Sequence, residues 1–260
     1  VQKTAFLENI NRLMQMYAEG RLGGETMPED ALTGIVSRDD CLGVLTLGMS
    51  LNYQRSAYAL WQAVARTYQD EDTRWVFHPL TAAECDLDAL RQGLHKHRVA
   101  LQPNRHPEIW QKVAAGIAHS SEKRDVSGLL ESAHFDIAEL KSMMQTKRKA
   151  EFPYLSGPKI FNYWLYVLET YAGVKWKSRE LITIAADTHI LQGTVRLGLC
   201  SANILKGSAE DRRITADAWE KALAGSGLAP IDVHTPLWLW SRAGFPRLVT
   251  DSSEMQEEFV

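Results

Sequence analysis

Apolar residues recur at intervals of three and four over most of this chain, a spacing that gathers them on one face of a helix and leaves room for few other folds. Ala57, Leu60, Trp61 and Val64 form one such stripe, and Ile109, Val113 and Ile117 form another behind Pro107, a residue suited to a first helical turn. Further stripes run through Leu130, Ile137, Leu140 and Met144, and through Ile214, Ala218 and Leu223. Only residues 181–184, Leu-Ile-Thr-Ile, read locally as a strand. So short a run cannot found a sheet and is better taken as an extended approach to a helix beginning near Asp187. The spacing predicts an all-α fold, with loops at 20–28, 102–106, 150–158 and 225–230 and a loose acidic tail from Asp251 to Glu258.

Composition narrows the class further. With 260 residues, 45% hydrophobic and 23% charged, the chain can bury a real core as one domain of two lobes. It has no run of 18 apolar residues, and its first residues lack the apolar core of a signal peptide, so a cytoplasmic protein with no membrane partner is expected. Cys41, Cys85 and Cys200 stand too far apart for a CxxC pair or a four-cysteine cluster, and are expected as free, mostly buried thiols. His95, His97 and His106 lack metal-ligand spacing, so neither metal nor cofactor is expected. Net charge is −3, yet residues 141–179 hold eight basic side chains (Lys141, Lys147, Arg148, Lys149, Lys159, Lys175, Lys177, Arg179) against Glu151 and Glu169. That asymmetry allows a polyanion to dock on one face.

Two segments carry chemistry. In Phe152-Pro153-Tyr154-Leu155-Ser156-Gly157-Pro158-Lys159, Ser156-Gly157-Pro158 reads as a tight helix-to-helix connection: Gly157 can take a positive φ, and Pro158 fits the first turn of the next helix. Amides exposed at that helix start can hold a phosphate. Lys159 sits just inside the helix, and Asp187 follows 28 residues later in Asp187-Thr188-His189-Ile190. An aspartate there is expected to cap a helix by accepting from an amide near Ile190. A capped carboxylate stays ionised, so a lysine nucleophile with Asp187 as electrostatic partner suits attack on an N-glycosidic bond.

These segments resemble the helix-hairpin-helix DNA glycosylase superfamily, whose hallmark is a Leu-Pro-Gly-Val-Gly-x-Lys hairpin followed by Val-Asp-Thr-His-Ile. The residues that match are LSGPKIFNYWLYVL and ADTHILQGTVRLGL. Residues 232–242 (DVHTPLWLWSR) are similar to the segment preceding the iron–sulfur cluster of endonuclease III, and residues 47–52 (LGMSLN) resemble the loop that fills the gap left by an extruded base. The resemblance spans roughly residues 35 to 245. The hairpin is shorter than the family pattern and lacks its second glycine, and the cluster cysteines are missing; in both respects the chain is similar to archaeal 8-oxoguanine DNA glycosylases.

The resemblance implies a two-lobed helix-hairpin-helix glycosylase fold, with a six-helix lobe over about 36–165 and a second lobe made of 1–35 and 166–260. It implies a monomeric DNA N-glycosylase with AP-lyase activity, near the nucleoid, on duplex DNA carrying a modified base. Lys159, desolvated, would be the nucleophile and Asp187 its partner. Asn52 would fill the vacated position, Arg105 would probe the opposite strand, and Ser156, Gly157 and His189 would contact DNA. For His189, as for His234, a structural hydrogen bond is the stronger expectation. Of Tyr163, Trp164, Tyr166, Trp238 and Trp240, most belong in the core and one or two can line a base pocket. The subfamily likeness points to oxidised guanine as the base; the other expectation is a glucosylated hydroxymethylcytosine of bacteriophage DNA in an antiviral role, to whose sugar the eight tryptophans would be suited. The alternatives are a salvage nucleosidase on a modified nucleotide and a non-catalytic DNA-binding module.

Overall fold

A computed structural model describes residues 3–23 and 27–248; the acidic tail lies outside them. Twelve α-helices are present among the described residues: α1 (Lys3–Ala18), α2 (Cys41–Met49), α3 (Ala57–Gln69), α4 (Pro79–Glu84), α5 (Leu87–Lys96), α6 (Arg105–Ala118), α7 (Val126–Ser132), α8 (Ile137–Ser142), α9 (Pro158–Ala172), α10 (Thr188–Arg196), α11 (Ala209–Leu223) and α12 (His234–Arg242). Short 3-10 turns link several of them, and the fold is all-α. None of these helices is long and apolar enough to cross a membrane. The chain divides into two compact units, one of Val1–Glu25 with Ile182–Val260 and one of Thr26–Leu181. The expected boundaries at 35/36 and 165/166 therefore move. The first would detach the turn Pro28–Leu32 from its own unit, and the second would cut α9 in mid-helix.

Side-chain caps set six of the twelve helix starts. Ser56, Asp86, Asp125, Asp136, Asp187 and Ser208 each accept a hydrogen bond from an amide of the helix they precede. Each satisfies a donor that the helix cannot, typically for about 1 kcal/mol. The helix α9 differs: Gly157 precedes it with no side-chain cap, Pro158 opens it, and Gly173 closes it in the left-handed region at φ 70°.

Two expected stripes are revised. Leu130, Ile137, Leu140 and Met144 are all buried, but on two helices. His134 and Phe135, at φ 54° and 53°, break the chain between α7 and α8, after which Asp136 starts a new helix. On α11 the buried face is Thr215, Trp219 and Leu223, while Ile214 is 40% exposed. The register is set by Trp219, whose indole N–H donates to Thr194 of α10 at 2.8 Å and whose ring meets Phe6 of α1. The strand-like residues 181–184 form no strand. Leu181 ends a 3-10 turn, and Ile182 and Ile184 are apolar because they are buried on the way to α10.

Five of the eight tryptophans are core: Trp61, Trp110, Trp164 and Trp219 are fully buried, and Trp240 is 4% exposed. Trp110 and Trp164 also satisfy their indole N–H, on the Val76 carbonyl at 2.9 Å and on Thr46 Oγ1 at 3.0 Å. The tryptophan content thus reflects packing, at about 3–5 kcal/mol per large ring, and ceases to argue for a sugar pocket.

Candidate functional site

Three stretches far apart in sequence meet at one ring in the unit Thr26–Leu181. Tyr53, which follows Asn52, lies on Tyr154 with ring centroids 4.6 Å apart and planes inclined by 33°. The guanidinium of Arg105 stands 5.4 Å from the same Tyr154 centroid, a cation–π contact. The stretches that carry Asn52, Arg105 and the turn leading into Lys159 thereby meet at Tyr154. The contributing stretches, 50–58 (SLNYQRSAY), 98–107 (RVALQPNRHP) and 152–159 (FPYLSGPK), contain Arg55, Arg98, Arg105 and Lys159 and no aspartate or glutamate.

Each stretch is held from behind. Arg55 donates to the carbonyls of Val99 and Arg98 at 2.5 and 3.2 Å, tying the Asn52 loop to the segment before α6. Burial and the neighbouring Arg98 both work against the Arg55 charge, lowering its pKa. His106 is pushed down to about 4, first by its burial and then by Arg55, His95 and Arg105. It stays neutral and accepts the Leu101 N–H on Nδ1 at 3.1 Å. Arg55 and Arg105 thus stand close enough to disfavour the charged form of His106. Arg105 itself is exposed and opens α6, where a loop was expected to run through His106. Asn52 is half-buried, its amide donating to Met49 Sδ at 3.6 Å.

The turn before α9 departs from expectation in two ways. Gly157 has φ −66°, and the left-handed residue is Tyr154 at φ 63°. A Cβ at 157 would stand a tight 3.1 Å from the Tyr154 carbonyl, so a larger residue there would have to push that carbonyl back by a few tenths of an ångström. The amides of Ser156 and Gly157 are already used within the turn, donating to Phe152 and Tyr154 at 2.9 Å each, and Ser156 is 5% exposed. An anion at this helix start must therefore be met by other groups. Lys159 is exposed, so the desolvation expected to activate it is not supplied by burial. Its position in the first turn of α9 does set its ammonium against the positive end of the helix dipole.

Asp187 and His189 belong to the other unit. Asp187 is half-buried and caps α10 by accepting the Ile190 N–H at 3.0 Å, as its position predicts. Arg212 donates to the carbonyl of Ala186 and fixes the approach to that cap. His189 makes the expected structural hydrogen bond, from Nδ1 to Ser241 Oγ at 3.1 Å, and packs edge-on against Trp238 with centroids 5.4 Å apart. The Arg242 guanidinium lies 4.8 Å from the Trp238 ring centre.

Within residues 141–179 the two acids are already paired: Glu151 with Arg148 at 2.6 Å and Glu169 with Arg179 at 2.7 Å. The six lysines of that stretch are all exposed. No group of three or more His, Cys, Asp or Glu among the described residues is arranged to hold a metal. The three cysteines are free and half-buried. Tyr53, Arg55 and Arg98 were not singled out by motif, and no local signal marks them, because the groups they meet lie in other stretches of the chain. No protein-family model, curated protein or solved structure matches this chain.

Proposed function

We propose that the protein is a DNA N-glycosylase with AP-lyase activity, acting on a modified base in duplex DNA. The observation that carries this reading is the meeting at Tyr154 of three acid-free stretches bearing Asn52, Arg105 and the turn into Lys159. A positive, aromatic surface suits a phosphate backbone and an unstacked base, and it gives an exposed amine access to a sugar that leaves the helix. A free-nucleotide nucleosidase would have no use for such an open surface.

Chemistry on a base buried in a duplex requires its extrusion, at a cost of a few kcal/mol in lost stacking and pairing. Asn52 is proposed to take up the vacated space. The neutral amine of Lys159 attacks the anomeric carbon, the glycosidic electron pair leaves with the base, and the amine proton is released as the C–N bond forms. Asp187 is the candidate acceptor for that proton and the candidate anion opposite the positive charge that develops on the sugar. Opening of the sugar ring gives the Schiff base, from which β-elimination expels the 3′ phosphate. For the base, oxidised guanine is the first proposal and a glucosylated hydroxymethylcytosine of phage DNA the second, with an antiviral role in that case.

The test is release of free base and strand nicking from duplexes containing each modification. Release with nicking supports the proposal, release without nicking reduces it to a monofunctional glycosylase, and release only from free nucleotides replaces it with a nucleosidase.

A further inference from the structure

We infer that Tyr53 is a stacking platform for the base left unpaired when the target base leaves the duplex, with Tyr154 and Arg105 as its support. The inference rests on the DNA glycosylase reading and assigns the exposed ring of Tyr53 a particular partner within that surface.

Tyr53 and Tyr17 are the exposed aromatic residues of the described chain, at 43% and 39%. Their surroundings differ. Tyr17 sits two positions from Glu19 at the end of α1, whereas Tyr53 lies in the acid-free stretch and rests on a second aromatic ring. A large ring that keeps 43% of its surface in water forgoes apolar burial on its outer face while its inner face packs on Tyr154. Behind it the order of groups is Tyr53, Tyr154, Arg105, a cation on the ring that supports the exposed ring. A flat purine or pyrimidine laid on the outer face of Tyr53 would extend this stack by one member.

The loop is also built to hold the ring still. Asn52 N–H donates to the Met49 carbonyl at 2.9 Å, and Ser56 caps α3 by accepting the Ala59 N–H at 3.3 Å. Between them Gln54 takes the left-handed conformation at φ 51°, and Arg55 anchors the loop to the carbonyls of Arg98 and Val99. A rigid aromatic gives up little entropy on binding, which favours recognition over adaptation. The occupant is therefore an unpaired base within a duplex: the surrounding Arg98, Arg105 and Lys159 supply charge for the flanking phosphates, and the ring supplies the contact that an intact stack does not offer.

The test is anisotropy of three labelled oligonucleotides of one sequence: an intact duplex, a duplex with a stable tetrahydrofuran abasic analogue, and the single strand. Wild type and Tyr53→Phe should prefer the abasic duplex to the intact one by on the order of tenfold or more. Tyr53→Ala, folded by circular dichroism, should lose most of that preference while its affinity for the intact duplex is unchanged. Fluorescence of 2-aminopurine placed opposite the analogue should be quenched by wild type and Tyr53→Phe and not by Tyr53→Ala. If Tyr53→Ala keeps the preference and the quenching, the platform is wrong and the glycosylase reading stands. Equal affinity of wild type for both duplexes, or a preference for the single strand, also overturns the platform. If wild type binds none of the three, the functional reading falls and takes the platform with it.

Discussion

The starts of α9 and α10 carry the two residues proposed for chemistry, and they are built in opposite ways. At α10 the carboxylate of Asp187 accepts an amide hydrogen bond and sits at the positive end of a helix dipole, so the fold alone accounts for it. At α9 no side chain caps the helix, and Lys159 is an exposed cation in the first turn, where the dipole disfavours it. The cap gives the aspartate a structural role within its own helix, whereas the helix dipole gives the lysine none. Variants of Lys159 therefore bear more directly on the proposal than variants of Asp187 do.

The largest effect separating the two belongs to Lys159. Lys159→Gln should abolish base release and strand nicking, while urea melts show stability unchanged or raised by about 0.3 kcal/mol as the cation leaves the dipole. A variant that stays active removes the nucleophile assignment. Next in size, Asp187→Asn keeps a good capping side chain but loses the charge. Its turnover should fall on the order of a hundredfold or more with little change in stability. Full activity in Asp187→Asn would leave Asp187 as a cap alone. Asp187→Ala should lose about 1 kcal/mol of stability as well.

Helix α9 also carries an anchor that stands apart from both starts. Glu29 is fully buried, accepts the Tyr163 hydroxyl at 3.0 Å and lies beside Asp30, which accepts the Tyr171 hydroxyl at 2.8 Å. Two tyrosines of α9 thus hold the turn Pro28–Leu32. The Trp61 indole sits close enough to favour the carboxylate without closing a hydrogen bond, and Glu29 Oε1 has no partner. Burial outweighs these contacts and raises the Glu29 pKa from 4.5 to about 7. In that window the folded state keeps a proton that the unfolded state has released. The stability from Glu29 is thus complete below pH 4.5 and lost as pH rises through 7, by about 3 kcal/mol. His106, lowered to about 4, acts in the opposite sense: its contribution is complete above 6.5 and lost as pH falls through 4. Glu29→Gln should remove the loss that builds up between pH 4.5 and 7 and leave stability rising between pH 4 and 6.5, as followed by denaturant midpoints against pH. In wild type the opposite slopes of Glu29 and His106 largely offset each other between pH 4.5 and 6.5, so a Glu29→Gln profile with the same shape as wild type from pH 5 to 8 would contradict the buried acid.

The smallest predicted effect is that of Arg105→Ala. It should weaken binding to intact duplex about evenly across sequences and reduce the salt slope by about one. An unchanged slope would place Arg105 off the DNA.

What the sequence made legible was local. Pro158 at the start of α9, the Asp187 cap and its bond to Ile190, and the stripe of Leu60, Trp61 and Val64 all depend on residues within a turn or two of each other. What it concealed depends on distant partners. The register of α11 is decided by Trp219 reaching Thr194, and the break between α7 and α8 needs His134 and Phe135 in a conformation that neither residue favours. Tyr154 read as one residue of a turn, and its role as the meeting point follows only when residues 52–53 and 105 arrive beside it. Glu29 carried no signal in the sequence, because the hydroxyl it accepts belongs to Tyr163 of α9, 134 residues away.

Borohydride trapping on a labelled duplex with an abasic site tests the central claim most directly, because it needs no knowledge of the base. The account predicts a covalent protein–DNA adduct with wild type and with Tyr53→Ala, and none with Lys159→Gln. No adduct with wild type, or an adduct that survives Lys159→Gln, would contradict it.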